Sequence, residues 1–145
     1  KFDCVRFLVD QGIPVCGHLG LLPQSINQLG AYRVQGKQPE SAQKIRDDAF
    51  QLQQAGASMI VLECVPAQLA KQITQDLAVP VIGIGAGVDC DAQVLVSYDM
   101  LDIGVAKRPR FSKNFMIGHE SVEAAISAFH QAVKKAEFPG PENSY

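Results

Sequence analysis

The sequence has no apolar run near the roughly 20 residues of a membrane-spanning helix. Its opening residues, Lys1-Phe2-Asp3-Cys4-Val5-Arg6, carry charges where a secretion signal has an apolar stretch. It has no excess of positive charge either: 13 Lys and Arg against 15 Asp and Glu give a formal −2, whereas a nucleic-acid surface is usually strongly basic. The expectation is therefore no membrane and no nucleic acid. The cysteines, Cys4, Cys16, Cys64 and Cys90, stand far apart, with no Cys-x-x-Cys pair and no zinc-type cluster. They read as reduced thiols of a cytoplasmic protein. No linker, low-complexity stretch or charge run divides the chain, so residues 1–145 read as one domain. What is present suits a folded core: 47% hydrophobic against 19% charged.

Strand and helix patterns alternate along the chain. Phe2, Val5, Leu8 and Val9 share a helical face, and Gly12 and Pro14 end that helix. A short strand is expected over 13–17, then a long loop over 18–38 punctuated by Gly20, Pro23, Gly30 and Gly36. Loops of that length tend to be functional or disordered, and the apolar residues in this one favour an ordered, functional loop. A helix over 41–54 buries Ala42, Ile45, Ala49 and Leu52. Strands over 58–62 and 79–84 are nearly continuous apolar runs, as parallel strands covered on both faces are. Between them Pro66 opens a helix to about residue 77. A short helix over 91–98, a weak strand over 101–103 and a final helix over 120–135 follow, and 139–145 reads as an extended tail. Alternation of this kind implies a parallel sheet with helices packed on it. An open doubly wound sheet fits the length as it stands. A (β/α)8 barrel needs about 250 residues, and the chain would then form its second half, with a leading helix that lacks its strand.

In parallel α/β folds the working residues sit at the carboxyl ends of strands. His18, in Gly17-His18-Leu19-Gly20-Leu21, either donates to an anionic or carbonyl oxygen or steadies the long loop. Glu63, in Val61-Leu62-Glu63-Cys64-Val65-Pro66, is a candidate acid or base, because partial burial lifts a carboxyl toward a useful range. The alternative is a surface residue favoured by the next helix's N-terminal dipole. Gly83-Ile84-Gly85-Ala86-Gly87 lacks both the Rossmann spacing and a Walker lysine, so a tight turn is favoured over a phosphate cradle. In the basic segment 107–115, Phe111 and Phe115 are read as core anchors, with binding of a polyanion such as a polyglutamylated cofactor tail as the alternative. Cys64 has no obvious paired histidine and is a poor nucleophile candidate. His119 and His130 read as surface helix residues.

Four segments together resemble the ketopantoate hydroxymethyltransferase family. They are Pro14-Val15-Cys16-Gly17-His18-Leu19-Gly20-Leu21-Leu22-Pro23-Gln24 with Tyr32-Arg33-Val34-Gln35-Gly36; Ala55-Gly56-Ala57 through Val61-Leu62-Glu63-Cys64-Val65-Pro66; Val79 through Gly87; and Pro109-Arg110-Phe111-Ser112-Lys113-Asn114-Phe115. The resemblance runs from about Gly12 onward. It implies a TIM-type (β/α)8 barrel, of which this chain is the C-terminal portion, and a homo-oligomer, typically a decamer. It implies transfer of a hydroxymethyl group from 5,10-methylenetetrahydrofolate to 3-methyl-2-oxobutanoate, with Mg2+, on the route to pantothenate and coenzyme A. Glu63 falls on the family's catalytic glutamate, the proton acceptor, and His18 on the histidine of its substrate-binding loop. The family's metal-binding aspartates and substrate-holding serine and lysine would precede Lys1, so no metal ligand is assigned within the chain. Asp89, Asp91, Asp99 and Asp102 do not replace them by position. The chain alone is accordingly expected to be inactive. The competing expectations are another Mg2+-dependent barrel acting on phosphoenolpyruvate or keto acids, and a non-catalytic α/β module.

Overall fold

The computed structural model describes residues 1–22, 33–104 and 108–145. The middle of the long loop (23–32) and the head of the basic segment (105–107) lie outside the described residues. In chain order the elements are α1 (Phe2–Asp10), β1 (Cys16–Gly20), α2 (Pro39–Gln54), β2 (Met59–Glu63), α3 (Ala67–Asp76), β3 (Val81–Ile84), β4 (Ala92–Gln93), α4 (Ser97–Met100) and α5 (Val122–Lys134). A 3₁₀ turn, Pro141–Asn143, follows.

The four described strands are parallel and lie side by side in chain order, β1-β2-β3-β4. Side chains alternate between the faces of a strand. Leu19, Ile60, Leu62 and Val81 point one way and are buried under Leu52 of α2 and Leu69 and Ile73 of α3. The crossover helices thus cover one face, and Phe2 and Val5 of α1 pack against the edge of the same cluster. A doubly wound sheet reverses its strand order and carries helices on both faces. Neither feature occurs among the described strands. On the opposite face Cys16, His18, Val61 and Ile82 are half-buried or exposed, and Glu63 and Ile84, at the carboxyl ends of their strands, are buried. A separate cluster joins α4 and α5, where the rings of Phe115, Phe129 and Phe138 meet edge-on at centroid distances of 5.4 to 5.8 Å.

The structure corrects three sequence expectations. The first strand runs from Cys16 to Gly20, not over 13–17. Its partner β2 sets that register, pairing Cys16 with Met59 and Gly20 with Glu63, and ladder pairing with burial of Leu19 outweighs the weak strand preference of two glycines. The helix expected over 91–98 is instead a short strand followed, from Ser97, by the start of α4. Asp91 accepts a bond from the Val81 N–H, Val94 donates to Gly83, and Ala92–Gln93 is thereby held as a strand. Residues 101–103 form a turn after α4, closed by Ile103 N–H to Tyr98 O, with Asp102 at φ 57°. The tail is also less open than expected, since Asn143 is buried and donates to the carbonyls of Arg110 and Ser112.

Ile60 is fully enclosed between the sheet and its helices, whereas Ile117 is 74% exposed. Urea unfolding is expected to show a loss of about 2–5 kcal/mol for Ile60→Ala and a change within about 0.5 kcal/mol for Ile117→Ala. Equal losses in both would contradict the core assignment.

Candidate active site

Glu63 is the last residue of β2, and His18 is the middle residue of β1. The parallel register places Gly20 opposite Glu63 and His18 opposite Val61, so both side chains rise from the face that the helices leave open. Gly20 bears no side chain, and His18 reaches past it. Its Nε2 lies 3.0 Å from Glu63 Oε2. The carboxyl side chain is 9% exposed and the imidazole 35%. His18 therefore belongs to a strand rather than to the loop after it, and it stands between the carboxylate and solvent.

Burial pushes the Glu63 carboxyl above its ordinary value, and the charge and hydrogen bond of His18 offset part of that rise. With the carboxylate ionised, Nε2–H donates to it; with the carboxyl protonated, its O–H donates to a bare Nε2. One proton can thus be held between the two groups, an arrangement suited to taking a proton from carbon and handing it on.

The backbone around Glu63 is closely tied. Leu21 N–H donates to Glu63 O at 2.8 Å, Cys64 N–H to Ile84 O at 2.9 Å, and Gln35 N–H to Cys64 O at 2.8 Å. Gly20, at φ 89°, makes the first of these possible, because a Cβ there would collide with the Glu63 carbonyl oxygen. Cys64 is buried, and its thiol is pushed up to about 12, first by burial and then by the charge of Glu63. It stays protonated and is not a nucleophile.

A cleft of about 320 Å³ opens beside His18, bordered also by Leu19, Gly20, Gln35, Lys44 and Leu52; Glu63 is not part of its lining. A larger depression of about 640 Å³ follows the solvent side of α2 and touches neither His18 nor Glu63. The glycine turn after β3 is filled by protein. A Cβ on Gly85 would meet the Phe111 ring at 2.9 Å, and one on Gly87 would strike Ala67. It is a packing turn, not an anion cradle. In the basic segment Phe111 and Phe115 are both core residues, while Arg108 pairs with Asp102 at 3.0 Å. Among the described residues no three of His, Cys, Asp and Glu converge as a metal site. Gly20 and Gln35 hold the backbone on either side of Glu63 without having been read as site residues in the sequence. Only Gly20 left a signal, as a glycine directly after a buried leucine.

The raised Glu63 value carries a sign. A carboxyl that binds its proton more tightly in the folded state contributes stability that is full below its ordinary 4.5 and is lost as pH climbs through the raised folded value. Glu63→Gln removes that loss. Urea midpoints at about pH 4 and about pH 8 are expected to show the Gln variant gaining on the parent as pH rises. A constant or shrinking difference would contradict the burial argument.

The family described as ketopantoate hydroxymethyltransferase matches residues 1–141, further upstream than the resemblance seen from Gly12. The 3-methyl-2-oxobutanoate hydroxymethyltransferase of Thiobacillus denitrificans is 57% identical over 143 residues, covering 99% of this chain and 54% of the relative. Those of Nitrosospira multiformis and Pseudomonas fluorescens are 55% and 51% identical, with the same shares covered. The chain spans about half the length of the curated relatives it matches. On this footing the chain belongs to the ketopantoate hydroxymethyltransferase family.

Proposed function

We propose that this chain is the base-bearing sector of a (β/α)8 barrel that moves a hydroxymethyl group from 5,10-methylenetetrahydrofolate to 3-methyl-2-oxobutanoate, giving ketopantoate for pantothenate and coenzyme A synthesis. One observation carries the reading: a buried carboxylate at a strand's carboxyl end, 3.0 Å from an imidazole that borders an open cleft. Chain-order parallel strands with both crossover helices on one face are what a barrel sector requires.

Glu63 takes the C3 proton of the keto acid and leaves an enolate. Water opens the methylene bridge of the folate: both carbon–nitrogen bonds break, tetrahydrofolate leaves, and the one-carbon unit is freed at the formaldehyde level. C3 of the enolate bonds to that carbon, whose oxygen takes a proton and becomes the hydroxyl. Through Nε2, His18 holds Glu63 Oε2 in place, and from the cleft wall it meets the substrate. On this reading the Mg2+ ligands belong to strands outside this chain, and the whole enzyme is a cytoplasmic homo-oligomer, a decamer by family resemblance. No described helix is long and apolar enough to cross a membrane.

Deuterium exchange at C3 of the keto acid reports the proton step alone. In the complete barrel, Glu63→Gln is expected to slow it by about 10²-fold or more, the usual worth of a positioned base. Near-normal exchange in that variant would remove Glu63 from the role. The 145-residue chain by itself is expected to form no ketopantoate, and detectable product would overturn the division of the site between two halves.

A further inference from the structure

The turn that follows the base is held from an unexpected direction. Cys64 sits at φ 50°, in the left-handed region that a non-glycine residue occupies only where its surroundings over-determine it. Two hydrogen bonds come from β3 and the returning loop, as described. The remaining restraint comes from residues far along the chain. Tyr145 packs on the cluster of Leu21, Cys64, Ile84 and Phe111, which gathers the ends of β1, β2 and β3. Its main-chain oxygen accepts the N–H of Ala67, the first residue of α3, at 2.8 Å. Tyr145 thus grips the turn on both sides of Val65-Pro66.

The strap that delivers Tyr145 is itself locked. Asn143 Nδ2 donates to the carbonyls of Arg110 and Ser112, each at 3.1 Å. Arg110 Nε donates to Glu142 O at 3.1 Å, and its guanidinium lies 5.3 Å from the centre of the Tyr145 ring. A buried asparagine satisfied by two backbone carbonyls is a specific docking device rather than chance collapse.

We propose that Tyr145 is a positioning residue for Glu63: its ring and main-chain oxygen fix the Cys64 turn and so the direction in which the carboxylate leaves β2. The inference rests on the reading of Glu63 as the base. Tyr145 packs on the turn and does not line the cleft beside His18, so its effect is expected on the rate of the proton step and not on substrate binding. The ring matters rather than the hydroxyl, because packing and the guanidinium contact both involve the ring.

The test measures C3 deuterium exchange in the complete enzyme, with keto-acid concentration varied. Tyr145→Ala is expected to lower kcat for exchange roughly tenfold with KM within about twofold, since small misplacements of a reacting group act on rate. Tyr145→Phe is expected to restore the parent rate. Arg110→Gln loosens the strap from its exposed side without opening the core, and serves if Tyr145→Ala does not fold. It is expected to lower kcat about threefold at constant KM. Parent-like kcat in Tyr145→Ala overturns the proposal. So does Tyr145→Phe as slow as Tyr145→Ala, or unchanged kcat in Arg110→Gln where Tyr145→Ala is unfolded. Glu63→Gln measured alongside separates the two readings. Persistent exchange there removes the base itself, whereas exchange lost in Glu63→Gln but intact in Tyr145→Ala removes only the strap.

Discussion

A carboxylate at the end of a buried strand is stable only with a partner, and Glu63 has one in His18, 3.0 Å away on the neighbouring strand. That contact constrains the rest of the sheet. His18 sits two residues before Gly20, the register partner of Glu63. A slip of one residue between β1 and β2 would turn His18 to the helix side and Leu19 to the open side. The register that protects the carboxylate is therefore the one that buries Leu19, and the site and the core are specified by the same ladder.

Alternation lets three short strands serve two purposes. Their covered face packs against α2 and α3 and supplies rigidity through Ile60, Leu62 and Val81. Their open face carries His18 and Glu63. Because both functional side chains leave strands and not loops, their separation is fixed by backbone pairing. The second cluster, Leu21, Cys64, Ile84 and Phe111, closes the strand ends directly beyond the carboxylate. Its closeness explains why Gly85 bears no side chain where it meets Phe111, as Gly20 bears none against the Glu63 carbonyl.

The proposed function divides the work of the site in a way that fits this geometry. A barrel mouth draws its reactive groups from the ends of several strands. The described strands offer a proton acceptor, an imidazole and a cleft, in a chain about half as long as its relatives. A base on one set of strands and the groups that hold the keto acid's oxygens on another would approach the substrate from different sides.

The sequence by itself determined the alternation of strands and helices, the buried face of α2, the anchoring of Phe111 and Phe115, and the place of Glu63 at the carboxyl end of a buried strand. Each of these depends on local periodicity or on residue type at a strand end. Tertiary structure decided what local pattern does not encode. It moved the first strand to Cys16–Gly20, since β2 sets the register, and so made His18 a strand residue. It turned 91–98 into a strand and a short helix, through bonds to Val81 and Gly83 that no local spacing reveals. It brought Tyr145 to the turn after Glu63, across 81 residues from Cys64, the difference between the two positions. The contact itself, 3.0 Å between an imidazole and a buried carboxyl, exists only because two parallel strands place residues 45 apart on one face.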